Sequence, residues 1–189
     1  MRPAAVLLAG ALLLVSGAQA ADWDVTQLFA ALAAHRPERA AFKEKKFFAL
    51  LDRPIESSGE LQFTPPERLE KRTVLPKPES VVVDGEMVTL ERGGKRRTLR
   101  LSDNQQVAVL VESLRATLAG DLRALTRTYS AQLEGSASSW RLVLRPLDPA
   151  LGTLVERIAI AGAEADVRNV EIFQADGDRS VMAISPLAK

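Results

Sequence analysis

Over residues 81–90, two β-rich runs, Val81-Val82-Val83 and Met87-Val88-Thr89-Leu90, flank Asp84-Gly85, a pair that accepts the positive φ of a two-residue turn. That is a hairpin, and the surrounding chain repeats its pattern. Gly93-Gly94 turns the chain into a further run at 97–101, and Asp176-Gly177 separates residues 167–174 from residues 180–185. Pro65-Pro66, Pro76 and Pro78 confine Arg68 to Leu75 to a strand with interrupted neighbours, because proline cannot donate to a ladder. Upstream, Phe42 and Phe47-Phe48 lie among Lys and Glu. The turn-rich Ser57-Ser58-Gly59 and the alternating Glu60-Leu61-Gln62-Phe63 follow, and together these read as two antiparallel strands. Residues 140–145 and 157–160 alternate as well.

Helical spacing appears at the start and in the middle. Asp24 can cap a helix in which Val25, Leu28, Phe29 and Leu32 recur on one face, and Pro37 prevents its extension much beyond His35. Ser102 and Asp103, with Gln105 and Gln106 three residues on, form overlapping capping boxes ahead of Val107, Leu110, Val111, Leu114 and Leu118. Gly120 stops that helix, and Asp121 can cap a shorter one carrying Leu122, Leu125 and Tyr129. The pattern predicts a mainly β protein with helices (α+β), its roughly nine or ten short strands forming one large antiparallel sheet that curls. A curled sheet has a concave face, and the amphipathic helices are its natural cover.

The first twenty residues read as an address. Arg2 supplies a minimal positive region, residues 4–15 are apolar apart from Gly10, and Ala18-Gln19-Ala20 offers the small residues of a signal-peptidase site. The run is too short for an anchor of roughly 20 apolar residues, and no Cys at position 21 permits lipoprotein processing. A cleaved signal peptide at 1–20 and one domain at 21–189 are therefore expected. Losing Arg2 with the leader leaves basic and acidic residues equal at 24 each.

That balance argues against a protein held on nucleic acid by phosphate neutralisation. With no Cys and one His, the chain has no disulfide framework, thiolate nucleophile or multi-His metal site. There is no Gly-x-Ser-x-Gly elbow, and His35 sits at a helix end beside Arg36 and Pro37. Asp176 and Asp178 flank the glycine of a turn, which explains them without acid–base chemistry. Lys95, Arg96, Arg97 and Arg100 read as a solvated hairpin, and Gly94-Lys95 lacks the rest of a P-loop. No catalytic residue, metal or cofactor is expected.

Gly59-Glu60-Leu61-Gln62-Phe63-Thr64-Pro65-Pro66-Glu67-Arg68-Leu69, then Pro76-Lys77-Pro78-Glu79-Ser80-Val81-Val82-Val83-Asp84-Gly85, resembles the outer-membrane lipoprotein carrier (LolA) family in order and spacing. The family pattern is a Gly-x-Leu strand, a Pro, an aromatic-rich strand, a second Pro and a Val-rich strand ending in Asp-Gly. The resemblance implies an incomplete curled antiparallel β-barrel with an α-helical lid over an apolar cavity. It also implies a periplasmic carrier in a Gram-negative bacterium, acting as a monomer on an acylated lipoprotein or lipid cargo between inner-membrane donor and outer-membrane acceptor proteins. The alternative function is a periplasmic sensor or assembly factor that grips a partner with the same fold. Two positions depart from the pattern: Pro65 stands where the family has the Arg that helps hold the lid closed, and Leu69 replaces an aromatic.

Alternation puts Leu61 with Phe63, Trp140 with Leu142 and Leu144, and Ile158 with Ile160 on shared faces. Leu69 occupies the family's cavity-facing position, which sets the inward parity of its strand by resemblance. The expected ligand-binding residues are thus Leu61, Phe63, Leu69, Trp140, Leu142 and Leu144 as cavity wall, with Leu110 and Leu114 as lid contacts.

Overall fold

Asp24 caps the first helix as foreseen: its side chain accepts from the Gln27 amide, and the Gln27 side chain accepts from the Asp24 amide. This box starts helix α1 (Val25–Ala34), which ends at His35. The computed structural model describes residues 23–35 and 39–187, so the expected leader and Pro37 lie outside the described residues.

Six strands follow as a meander: β1 (Arg39–Phe47), β2 (Ile55–Thr64), β3 (Arg68–Leu75), β4 (Glu79–Asp84), β5 (Met87–Arg92) and β6 (Lys95–Arg100). A 3₁₀ turn (Leu101–Asp103), helix α2 (Gln105–Ala119) and helix α3 (Leu122–Thr128) interrupt it. The meander resumes in β7 (Tyr129–Ser136), β8 (Ser139–Pro146), the short helix α4 (Pro149–Gly152), β9 (Val155–Ala163), β10 (Asp166–Gln174) and β11 (Arg179–Pro186).

All eleven strands form one antiparallel sheet in the order β6-β5-β4-β3-β2-β1-β11-β10-β9-β8-β7. First and last strands pair in the middle, so the two edges are β6 and β7, and the sheet does not close into a barrel. The segment joining those edges is the α2–α3 connection. It therefore runs from one margin of the sheet to the other, as a lid must. Exposed Lys95, Arg96, Arg97 and Arg100 on β6 oppose pairing of that open edge with another strand.

Four local expectations are corrected. Ser57-Ser58-Gly59 is not a turn but the interior of β2, and the reversal lies before it, where the Ala49 amide donates to Asp178 Oδ1 at 2.9 Å. Gly59 belongs in the strand because a Cβ there would stand 1.9 Å from the Arg72 carbonyl oxygen, at a register shift between β2 and β3. The cap of α2 is Asn104, whose side chain accepts from the Val107 amide, while Asp103 accepts from the Arg100 amide and closes the 3₁₀ turn. Tyr129 opens β7 instead of ending α3, and the strands number eleven. Gly120 does stop α2, at φ +69° with the Ala33 and Phe29 backbones so close that any Cβ would clash.

The packed core is one-sided. Leu28, Phe29 and Leu32 of α1, Leu125 of α3 and Leu151 of α4 pack with Tyr129, Trp140, Leu142, Leu144, Val155, Ile158 and Ile160. Every strand residue in that cluster comes from β7 to β10. On β2 to β6, Phe63 and Val83 are buried, but Leu61, Leu69, Val81, Val88 and Leu90 are only half-buried.

Candidate ligand-binding face

Residues directly opposite in an antiparallel pair point the same way, so the register carries one face across the sheet. From β6 to β2 one row reads Leu99, Val88, Val83, Leu69 and Phe63. The next reads Arg97, Leu90, Val81, Lys71 and Leu61, and continues to Ala40 on β1. Beyond β1 the same face carries Phe42 opposite Ile184, Glu44 opposite Met182, Met182 opposite Val170, Val170 opposite Ile160, and Ile160 opposite Leu142.

The six expected strand residues thus share one face, though not one locality. Trp140, Leu142 and Leu144 lie in the packed core, all at most 2% exposed, and the Trp140 ring covers Gly162 while its Nε1 donates to the Glu164 carbonyl at 3.0 Å. Leu61, Phe63 and Leu69 lie on β2 and β3, separated from β8 by β1, β11, β10 and β9. The lid pair is placed differently again. Leu110 and Leu114, with Val111 and Ser113 of α2, face Ile158, Ile160, Val170 and Ile172 across a space of about 130 Å³. Sequence reasoning had paired Ile158 with Ile160, but Val170 and Ile172 join them only through the β9–β10 register.

The other flank of α2 lines a second cavity, of about 350 Å³, between α2, α3, Tyr129 and Pro66. Its wall is mixed, with Glu112, Arg115, Asp121 and Arg127 among the lining side chains. Arg115 reaches out of α2 to the β4–β5 turn, where Nη2 donates to the Gly85 carbonyl at 2.8 Å, while its Nε is buried without a hydrogen-bond partner. Tyr129 beneath donates to the Val109 carbonyl at 3.1 Å, and burial pushes its hydroxyl up to about 12.

One buried charged cluster sits on this largely apolar face, which also carries Arg97 and the Glu79–Arg92 pair nearer the β6 edge. The Glu44 side chain, 6% exposed, accepts from Ser180 Oγ at 2.7 Å, from Ser57 Oγ at 3.3 Å and from Lys71 Nζ. Burial would raise this carboxyl, but Lys71, Lys46 and the Ser180 hydroxyl outweigh it and hold it below the ordinary carboxylate value. Lys71 also lies 4.8 Å from the centre of the Phe42 ring. Sequence reasoning missed this cluster, although strict alternation along β1 gives Glu44 the parity of Phe42 and so points it inward. His35, by contrast, keeps a surface role, with Nε2 3.1 Å from Asp166 Oδ1. Among the described residues no group of His, Cys, Asp and Glu side chains could hold a metal ion.

An open antiparallel sheet strapped by its own helices across a largely apolar concave face defines a binding fold of the lipoprotein-carrier class. Residues 17–188 match the family described as outer membrane lipoprotein carrier protein LolA-like, and the chain belongs to that family. Among solved structures it is similar to a LolA superfamily protein from Nitrosomonas europaea, at 13% identity and TM-score 0.47, covering 87% of this chain and 93% of that one. It is also similar to LprF from Mycobacterium bovis, at 11% identity and TM-score 0.36 over 85% and 91% of the two chains. A chain of the Pseudomonas aeruginosa MucA/MucB complex is similar at 12% identity and TM-score 0.44, covering 88% of this chain and 59% of that one. No curated protein sequence matches the chain at a significant level.

Proposed function

We propose that this chain is a non-enzymatic periplasmic carrier. It buries the acyl chains of a lipoprotein or another lipid-like molecule against its concave face and ferries them from an inner-membrane donor towards an outer-membrane acceptor. The supporting observation is the unfilled apolar space between Leu110 and Leu114 of α2 and the isoleucines of β9 and β10. An acyl chain of ~14 methylenes exposed to water costs on the order of 10 kcal/mol, at about 0.8 kcal/mol per CH₂. A face that is apolar yet incompletely packed is where a protein recovers that energy.

The space between α2 and the sheet is smaller than the roughly 300–1,000 Å³ of pockets that enclose small molecules. Uptake therefore requires α2 to move off β9 and β10 and join this space to the half-buried surface of β2 and β3. In this reading Leu110 and Leu114 are lid contacts, and Leu61, Phe63 and Leu69 are the wall on the open side. Trp140, Leu142 and Leu144 form the rigid back of the site. No helix of the described residues is long and apolar enough to cross a membrane. Native mass spectrometry on protein recovered from the periplasm is expected to show bound lipid, and the delipidated chain should take up a fluorescent fatty acid. Protein that is recovered empty and takes up none overturns the proposal.

A further inference from the structure

The Glu44 cluster is out of place on a face built to receive hydrocarbon. Lys71 stands in a row between Leu61 and Val81, with Phe42 beside it, so apolar side chains of its size would pack there without desolvating a charge. A buried ion pair is weak support for a fold, because the cost of stripping water from both ions roughly cancels their attraction. Stability alone thus gives no reason for an ammonium at this point.

The accessibilities of the partners differ in an informative way. Glu44 is 6% exposed and saturated by Ser180, Ser57 and Lys71, whereas Lys71 is 27% exposed. An ammonium carries three donors. Among the described residues the one hydrogen bond of Lys71 goes to Glu44, and its ammonium also lies over the Phe42 ring. Lys46 also approaches the same carboxylate, at 3.9 Å from Oε1, so two cations share one anion and the cluster carries a net positive charge. Gly59, opposite Phe42 on the intervening strand, contributes no side chain, which leaves the Lys71 stem room to cross β2.

We infer that Lys71, steadied by Glu44 and seconded by Lys46, is a subsite for the anionic headgroup of an amphiphile, a carboxylate or phosphate, whose acyl chain runs along Leu61, Leu69 and Phe63. This rests on the carrier reading and narrows its cargo to amphiphiles with an acid group. The headgroup takes the two free donors of Lys71 and neutralises the excess charge, while the tail follows the apolar row towards α2. Glu44 holds the ammonium in place when the site is empty and competes with the headgroup when it arrives.

Equilibrium binding of dodecanoic acid, dodecyl phosphate and dodecanol at neutral pH, with inorganic phosphate as the chain-free control, tests the assignment. Both acids are expected to bind about tenfold or more tightly than the alcohol, which corresponds to about 1.4 kcal/mol, and inorganic phosphate far more weakly than dodecyl phosphate. Lys71→Met should bring the acids down to the affinity of the alcohol. Glu44→Gln should tighten acid binding, an effect that a merely structural pair would not produce. The double variant Glu44→Gln/Lys71→Met removes both charges together and carries the test if the single Lys71 change fails to fold. Equal binding of acid and alcohol, or a preference that survives loss of Lys71, would each overturn the subsite while leaving the carrier standing, whereas phosphate binding as tightly as dodecyl phosphate would give the chain no share in binding and overturn both. Failure of all three chain-bearing probes to bind overturns the carrier reading as well.

Discussion

Glu44 shows how a single side chain can tie stability to acidity. Its carboxyl is buried, which alone would raise its pKa, yet Lys71, Lys46 and Ser180 hold it below its ordinary value, so folding favours the ionised form. For a carboxyl depressed in the folded state the sign is fixed. Its contribution is complete above the unfolded value of about 4.3 and is lost as pH falls through the lower folded value. Glu44→Gln is accordingly expected to cost about 1–3 kcal/mol at pH 7, since it weakens a charge-assisted bond and leaves Lys71 partly unpaired. By urea denaturation the gap between wild type and variant should narrow steadily as pH falls below the unfolded value and through the lower folded one. A gap that stays constant across that window would assign the loss to packing instead of charge.

Arg115 ties helix α2 to the opposite end of the sheet. Its bond to the Gly85 carbonyl links the middle of α2 to the β4–β5 turn, in a chain that carries Pro65 where its family has the lid-holding Arg. Arg115→Met keeps much of the side chain's bulk and removes that bond. Hydrogen exchange in α2 is expected to accelerate several-fold, corresponding to a loss of about 1 kcal/mol, while amides of β8 and β9 stay as protected as in wild type. The elements flanking this helix show which parts of a fold a sequence announces. The β4–β5 and β10–β11 hairpins were legible because Asp84-Gly85 and Asp176-Gly177 are local chemistry, as was the stop at Gly120. Strand β7 was hidden because it leaves α3 with no turn residue between them, so the helical spacing of Leu122 and Leu125 ran on into Tyr129; only the pairing of Leu133 with Leu142 reveals it. That Leu110 and Leu114 share one face of α2 could be read from periodicity, whereas the Glu44–Lys71 contact could not. It joins residues on two strands across a third, and no local pattern encodes that distance.

Across the whole molecule the concave face is divided into a packed half on β7 to β10 and a half-buried region on β2 to β6. The division predicts opposite outcomes for one chemical change. Leu142→Glu places a carboxylate at a fully buried position in the core and should cost several kcal/mol, enough to unfold a domain of marginal stability. Leu114→Glu lies at the margin of the space under α2, so it should keep the far-UV circular dichroism of the wild type and lose fatty-acid uptake. Two folded variants, or two unfolded ones, would contradict the division. The α2–α3 connection also has a mechanical consequence, because both of its ends are rooted in the margins of the sheet, at Arg100 and Tyr129. It is a bowstring and not a door: it has no free end to swing, and helices do not stretch. Slack can come only from the joints at residues 101–104 and 120–121, or from a change in the bend of the bow itself. In the proposed carrier, room for an occupant wider than the space under α2 must come from those joints or from the bend of the sheet, so that the two edge strands move together.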